Sequence, residues 1–175
     1  MKKSLWLWQF SGFVISTFLG TLLHFLFEWT NNSVIVAPFS AVNESTWEHM
    51  KLLFFPAFLF AIIERFFLKN DFPCFWMAKF WGVLIGIFCI PILFYTYGGA
   101  IGTPSAWINI LFFFLSAGIG FFAEYLIFLH PLRAKNSYLI YFILLCAVAG
   151  LFMIFTFYPP KLPLFKDPIS GAFGI

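Results

Sequence analysis

His24, Glu28, Asn43, Glu44, Glu48 and His49 bring imidazole, carboxylate and amide groups into one short part of a chain that is 62% hydrophobic and only 10% charged. Imidazoles and carboxylates together are suitable ligands for zinc, manganese or iron. A carboxylate left off the metal can take a proton from metal-bound water. Glu44 and His49 are the candidate catalytic groups for such chemistry. His24, Glu28, Asn43, Glu44, Glu48, His49 and, from the far end of the chain, Asp167 are the candidate binding residues. A divalent metal is accordingly the candidate cofactor, although His24-x3-Glu28 matches none of the familiar metalloprotease spacings. Part of the group also has a purely structural reading. Ser45 and Glu48 carry the S-x-x-E spacing of a capping box, and Glu48 can pair with Lys51 one turn later.

The elements that must position these groups are helices in a membrane. Mean hydropathy is +0.95 and there are 29 phenylalanines among 175 residues. A bilayer core about 30 Å thick is crossed by roughly 20 apolar residues in a helix. Runs of that length predict an all-α membrane protein, a single domain over 1–175, with transmembrane helices at about 6–28, 47–68, 75–97, 105–129 and 136–158. The glycines and Pro104 of "YGGAIGTPS" divide the third helix from the fourth. The continuous apolar runs lack the alternation of a membrane β-barrel. The first run is longer than a signal-peptide core and has no small-x-small cleavage site, so it is expected to stay as the first helix.

Positive residues are retained on the cytoplasmic side of short loops. With the N-terminus inside, Lys2, Lys3, Arg65, Lys69, Lys79, Arg133 and Lys135 are inner, and Lys51, Lys161 and Lys166 are outer. Seven against three predicts N-in, C-out and places the His/Glu group on the extracytoplasmic side. The net charge of +3 reflects this topology and gives no reason to invoke nucleic acid. On helix one, Gly12, Ser16 and Gly20 recur every four residues, a small-residue stripe for close packing in lipid. His24 and Glu28 continue that spacing. After the fifth helix, segment 159–175 holds too many prolines for a helix and too many apolar residues for a free tail. It is expected to fold back over the outer helix ends and bring Asp167 to the other polar groups.

On the inner side, the Ser116, Gly120 and Glu124 spacing turns Glu124 toward the bundle interior. Glu64 is expected to pair with Arg65 or Arg133, ahead of a proton relay. Pro56 and Pro91 each remove a helix hydrogen bond. Cys74, Cys89 and Cys146 offer no disulfide framework or metal-ligand spacing.

"HFLFEW", "VNESTWEHMKLLFFP", "FYTY", "TFYPP" and "PLFKDPISGAFGI" together resemble an uncharacterised family of small bacterial polytopic membrane proteins known only as a domain of unknown function. The most specific element is Asn43-Glu44-Ser45-x-Trp47-Glu48-His49. The resemblance implies a multi-pass protein of the bacterial plasma membrane and carries no activity with it. The residues themselves favour a membrane enzyme, a hydrolase or transferase acting on a lipid or lipid-linked substrate at the outer leaflet. The alternatives are a subunit of a transporter or channel, or a noncatalytic assembly protein. The partners expected are the lipid bilayer, a lipid ligand and further copies of the chain in an oligomer.

Overall fold

A computed structural model describes residues 2–68, 72–102, 105–130 and 138–175. The predicted positions of Lys69, Pro104, Arg133, Lys135 and the start of the fifth helix at 136 lie outside these residues. Among the described residues, five α-helices make up most of the structure: α1 Lys2–Trp29, α2 Thr46–Leu68, α3 Phe75–Ala100, α4 Ala106–Leu129 and α5 Tyr138–Phe157. No strand pairing beyond one isolated bridge, between Lys166 and Phe173, occurs among the described residues. The helical assignment continues through Pro56 and Pro91.

Among the described residues, α1, α3, α4 and α5 are long and apolar enough to cross a membrane. The structure separates α2 from these four for a chemical reason. Its 23 residues carry Glu48, His49, Lys51, Glu64 and Arg65, whose charges the other helices largely exclude. α2 tolerates them because it is the most enclosed helix. Glu48, Lys51 and Glu64 are all buried, alongside Leu52, Leu53, Phe54, Ala57, Phe60 and Ala61.

Small residues set how closely the helices approach. A Cβ on Gly12 would come within 2.6 Å of Phe121 and 2.7 Å of Phe60; one on Gly20 would meet the Leu52 carbonyl at 2.7 Å. The four-residue stripe of α1 therefore lies directly against α2 and α4. α3 and α4 pack most intimately of all. There, a Cβ on Gly82 would fall 2.0 Å from Glu124 Cγ and 2.9 Å from the Gly120 carbonyl. In lipid, such backbone proximity supplies the dispersion contacts that a hydrophobic driving force supplies in water.

The segment after α5 turns back. A 3-10 turn at Pro163–Phe165 packs against α2. Phe165 lies 4.7 Å from the Trp47 ring and 5.5 Å from Phe155. At the end of the chain, the Ile175 N–H donates to the Thr156 carbonyl at 3.3 Å, and the Asn43 side chain donates to the Gly174 carbonyl at 3.0 Å. This end of the helices therefore has a fitted cover made of 30–45 and 158–175.

Candidate functional site

The C-terminal part of α1, the loop entering α2 and the first turn of α2 converge on three side chains. His24, Glu44 and His49 each offer a ligand atom, and these atoms all lie within 4.8 Å of one another. Glu44 stands between the imidazoles, with Oε1 at 3.8 Å from His24 Nε2 and Oε2 at 3.6 Å from His49 Nε2. The two rings are 5.5 Å apart and close to perpendicular. Ligand atoms around one tetrahedral ion, each about 2 Å from it, stand roughly 3.3 Å apart. Closing this group on a metal thus requires only small side-chain movements.

Local structure prepares His49 for that role. Its Nδ1 lies 2.9 Å from the Ser45 carbonyl one turn earlier, an acceptor that selects the Nδ1–H tautomer. The lone pair of Nε2 then points at the Glu44 side. Backbone support for a ligating imidazole is the usual way in which ring orientation and basicity are set. Two imidazoles and one carboxylate leave at least one coordination position open, as hydrolytic metal centres require.

Clefts open on both sides of the centre. One, about 330 Å³, runs among Ile90, Phe94, Phe112 and the tail residues Pro168 and Ile169. The other, about 280 Å³, runs beside Gly20, Thr21, Phe25, Leu52 and Phe114. Glu44, His49, Asn109 and Phe113 line both. The Oδ1 of Asn109 is buried without a hydrogen-bond partner. Sequence reasoning passed over Asn109; an amide in the otherwise apolar first turns of α4 was the available signal.

The other expected site residues lie elsewhere. Glu28 is exposed and stands outside the group of three. A four-residue spacing drifts about 40° around a helix at every step. The stripe that begins at Gly12 has therefore rotated away from α2 and α4 by the time it reaches residue 28. Glu48 is buried beneath the cover and pairs with Lys51 at 2.5 Å, while the Val42 N–H donates to it at 3.1 Å. Lys51 in turn donates to the Ala37 carbonyl and to Thr156 Oγ1, both at 2.9 Å. These bonds join the entry loop, α2 and α5. The capping box is half formed: Ser45 Oγ accepts from the Glu48 N–H at 3.4 Å, whereas the Ser45 N–H is taken by Asn43 Oδ1 at 2.9 Å. Asn43 thus braces the entry to α2 and ties it to Gly174 near the end of the chain.

Asp167 is buried in the tail, where it organises a turn and reaches the backbone N–H of Glu44 rather than the imidazoles themselves. Its carboxylate accepts from the Ile169 N–H at 2.9 Å and from the Ser170 hydroxyl at 2.5 Å. Burial works to raise this carboxyl. The Ser170 hydroxyl and the backbone N–H groups of Ile169, Ser170 and Glu44 outweigh it and hold the group below the usual carboxylate range. The turn it fixes presents Pro168 and Ile169 to the first cleft.

A second polar group lies toward the other end of α2. Glu64 pairs with Lys79 of α3, not with Arg65, and accepts from Gln9 of α1 at 2.9 Å. Glu124 of α4 pairs with the same Lys79 Nζ at 2.5 Å. Lys79 was expected to be a positive residue of the inner boundary; it is wholly buried. Its reach explains the change, since an ammonium on a long stem can pass between packed helices to two carboxylates that would otherwise repel each other.

The model for the Family of unknown function (DUF6512) matches residues 1–175, and the chain belongs to that family. No curated protein and no solved structure matches the chain.

Proposed function

We propose that this member of a family of unknown function is a multi-pass protein of the bacterial plasma membrane that uses His24, Glu44 and His49 to hold a divalent metal at its extracytoplasmic face, where it acts as a hydrolase or transferase on a lipid or lipid-linked substrate. The observation that carries this reading is the convergence of three ligand atoms within 4.8 Å at the meeting point of two apolar clefts. The metal would polarise a phosphoryl or carbonyl oxygen and acidify its bound water. Glu44, half-exposed between the imidazoles, is placed to ligate the ion or to take the proton of that water. The Asn109 amide faces both clefts and offers a polar contact to a headgroup. Apolar walls on either side suit acyl or prenyl chains.

The membrane reading rests on the four spans and on the outward surface. α1, α4 and α5 expose Phe10, Phe18, Leu111, Phe122, Leu139 and Ile143, an apolar periphery that lipid covers. α2 is the fifth span in this reading, with Glu48 and Glu64 paired to lysines within the bundle. Orientation follows from the same positive-residue rule. Removing the buried Lys79 and Lys51 from the comparison leaves six inner positive residues against two outer ones, so the bias to N-in, C-out holds. A C-terminal reporter active only in the cytoplasm would contradict that orientation.

Protein purified without chelator and incubated with Zn²⁺, Mn²⁺ or Fe²⁺ is expected to retain one ion per chain, and to lose it in His24→Ala, His49→Ala and Glu44→Gln. Native mass spectrometry of the same preparation is expected to show a co-purifying lipid. If wild type holds no ion under any of these conditions, the group is a structural network and the enzyme reading is dropped.

A further inference from the structure

The group around Lys79 has an unbalanced charge. Glu64 and Glu124 both meet its ammonium, and all three side chains are at most 2% exposed. Four phenyl rings, Phe60, Phe75, Phe121 and Phe128, surround Nζ at 5.6–5.9 Å and exclude water. With both carboxylates ionised, the cluster would carry one net negative charge among helices α1 to α4. An uncompensated ion in such surroundings is far costlier than a neutral carboxyl. Among the described residues, the other cation at this level is Arg65, whose guanidinium lies 5.5 Å from the Phe75 ring and forms no ion pair with either acid. Glu48 and Lys51, by contrast, are a one-to-one pair and already neutral.

From this geometry we infer that the Glu64–Lys79–Glu124 cluster is a binding site for a single proton, carried on Glu124. Glu64 accepts from Gln9 Nε2 at one oxygen and has the Lys79 ammonium in ion-pair contact at the other, two partners for its charge. Glu124 meets Lys79 through Oε2 alone. Its side chain lies in the narrow space between α3 and α4 that Gly82, Gly86 and Gly120 leave open. The proton brings the cluster to neutrality. Losing it would place a full charge at the closest helix–helix contact in the protein, so exchange requires α3 and α4 to separate. The site is independent of the metal centre and is filled whether or not that centre holds an ion.

Infrared spectroscopy of the full chain in lipid nanodiscs at neutral pH tests this directly. Wild type is expected to show the C=O stretch of a protonated carboxyl. Glu124→Gln and Glu64→Gln are each expected to abolish it, because either substitution leaves Lys79 with one carboxylate and nothing to neutralise. Glu28→Gln, at an exposed position, is expected to leave it unchanged. Absence of the band from wild type, or its survival in either Glu64→Gln or Glu124→Gln, overturns the proposal. Glutamine keeps the size of the side chain and can still accept from Lys79. If one variant nevertheless fails to fold, the other variant and the wild-type spectrum decide the matter.

Discussion

The two polar centres use the same kinds of residue to opposite ends. At the His24–Glu44–His49 centre, side-chain exposures are 31%, 41% and 21%, and the imidazole nitrogens approach the carboxylate only to 3.6–3.8 Å. Around Lys79 nothing is exposed, and the ammonium–carboxylate contacts are tight. The first centre keeps its lone pairs and its solvent path, which is what binding a ligand requires. The second holds its ammonium between its own two acids and ties the helices to one another. Acid content alone does not separate the two centres; accessible ligand atoms beside open clefts do.

That contrast makes ordered predictions for thermal unfolding of the protein in detergent or nanodiscs. Lys79→Met should have the largest effect, because it takes the ammonium away from both buried acids of the cluster and leaves its negative charge unpaired. Breaking a buried ion pair from one side typically costs about 3–5 kcal/mol, and a variant as stable as wild type would mean that the cluster is hydrated. Gly82→Ala should follow at about 1–3 kcal/mol, the usual cost of overpacking, since its Cβ would overlap Glu124 and approach the α4 backbone. An undisturbed melting temperature would show that α3 and α4 lie farther apart.

At the opposite end of the helices the expected effects are smaller. Ser45→Ala should cost about 0.5–1 kcal/mol, the lower part of the capping range, because its 3.4 Å bond to the Glu48 N–H is long. Asp167→Asn should cost about 1 kcal/mol through its charge-assisted bonds. Because its folded carboxyl is held below the usual range, that contribution is complete above the unfolded value. It is lost as pH falls through the lower folded value. Wild type and Asp167→Asn should therefore differ at neutral pH and converge in acid; a difference that grows on acidification would refute this account of the turn.

His49→Ala, in metal-free protein, should have the smallest effect, within about 0.5 kcal/mol. The same variant should miss the metal-dependent stabilisation of wild type, about 2.7 kcal/mol at a hundredfold excess over Kd. A large metal-free loss would make His49 a structural residue and remove the difference between the two centres.

Helix number and approximate span were legible in the residues, because a hydrocarbon environment demands long apolar runs and the turns between them are rich in glycine, proline and charge. The association of His24 with the 43–49 stretch was likewise expected from the small-residue stripe of α1. Glu28 was expected to join them and stands outside the group, because a four-residue spacing drifts around the helix and had turned that face away by residue 28. Glu48 looked like its neighbours Glu44 and His49, yet one turn of helix places it under the cover with Lys51.

What the sequence by itself determined was therefore one-dimensional: which segments are helical and apolar, which face of α1 and of α4 can pack closely, and where titratable groups are concentrated. Those properties depend on residue type and on a fixed helical repeat. Only the tertiary structure decided which charges meet. Glu64 comes from α2, Lys79 from α3, Glu124 from α4 and Gln9 from α1, and their convergence depends on the rotation and depth of four helices at once. The same holds for the tail that walls the first cleft. Long-range pairing is governed by the summed packing of whole helices, a quantity that no local spacing encodes.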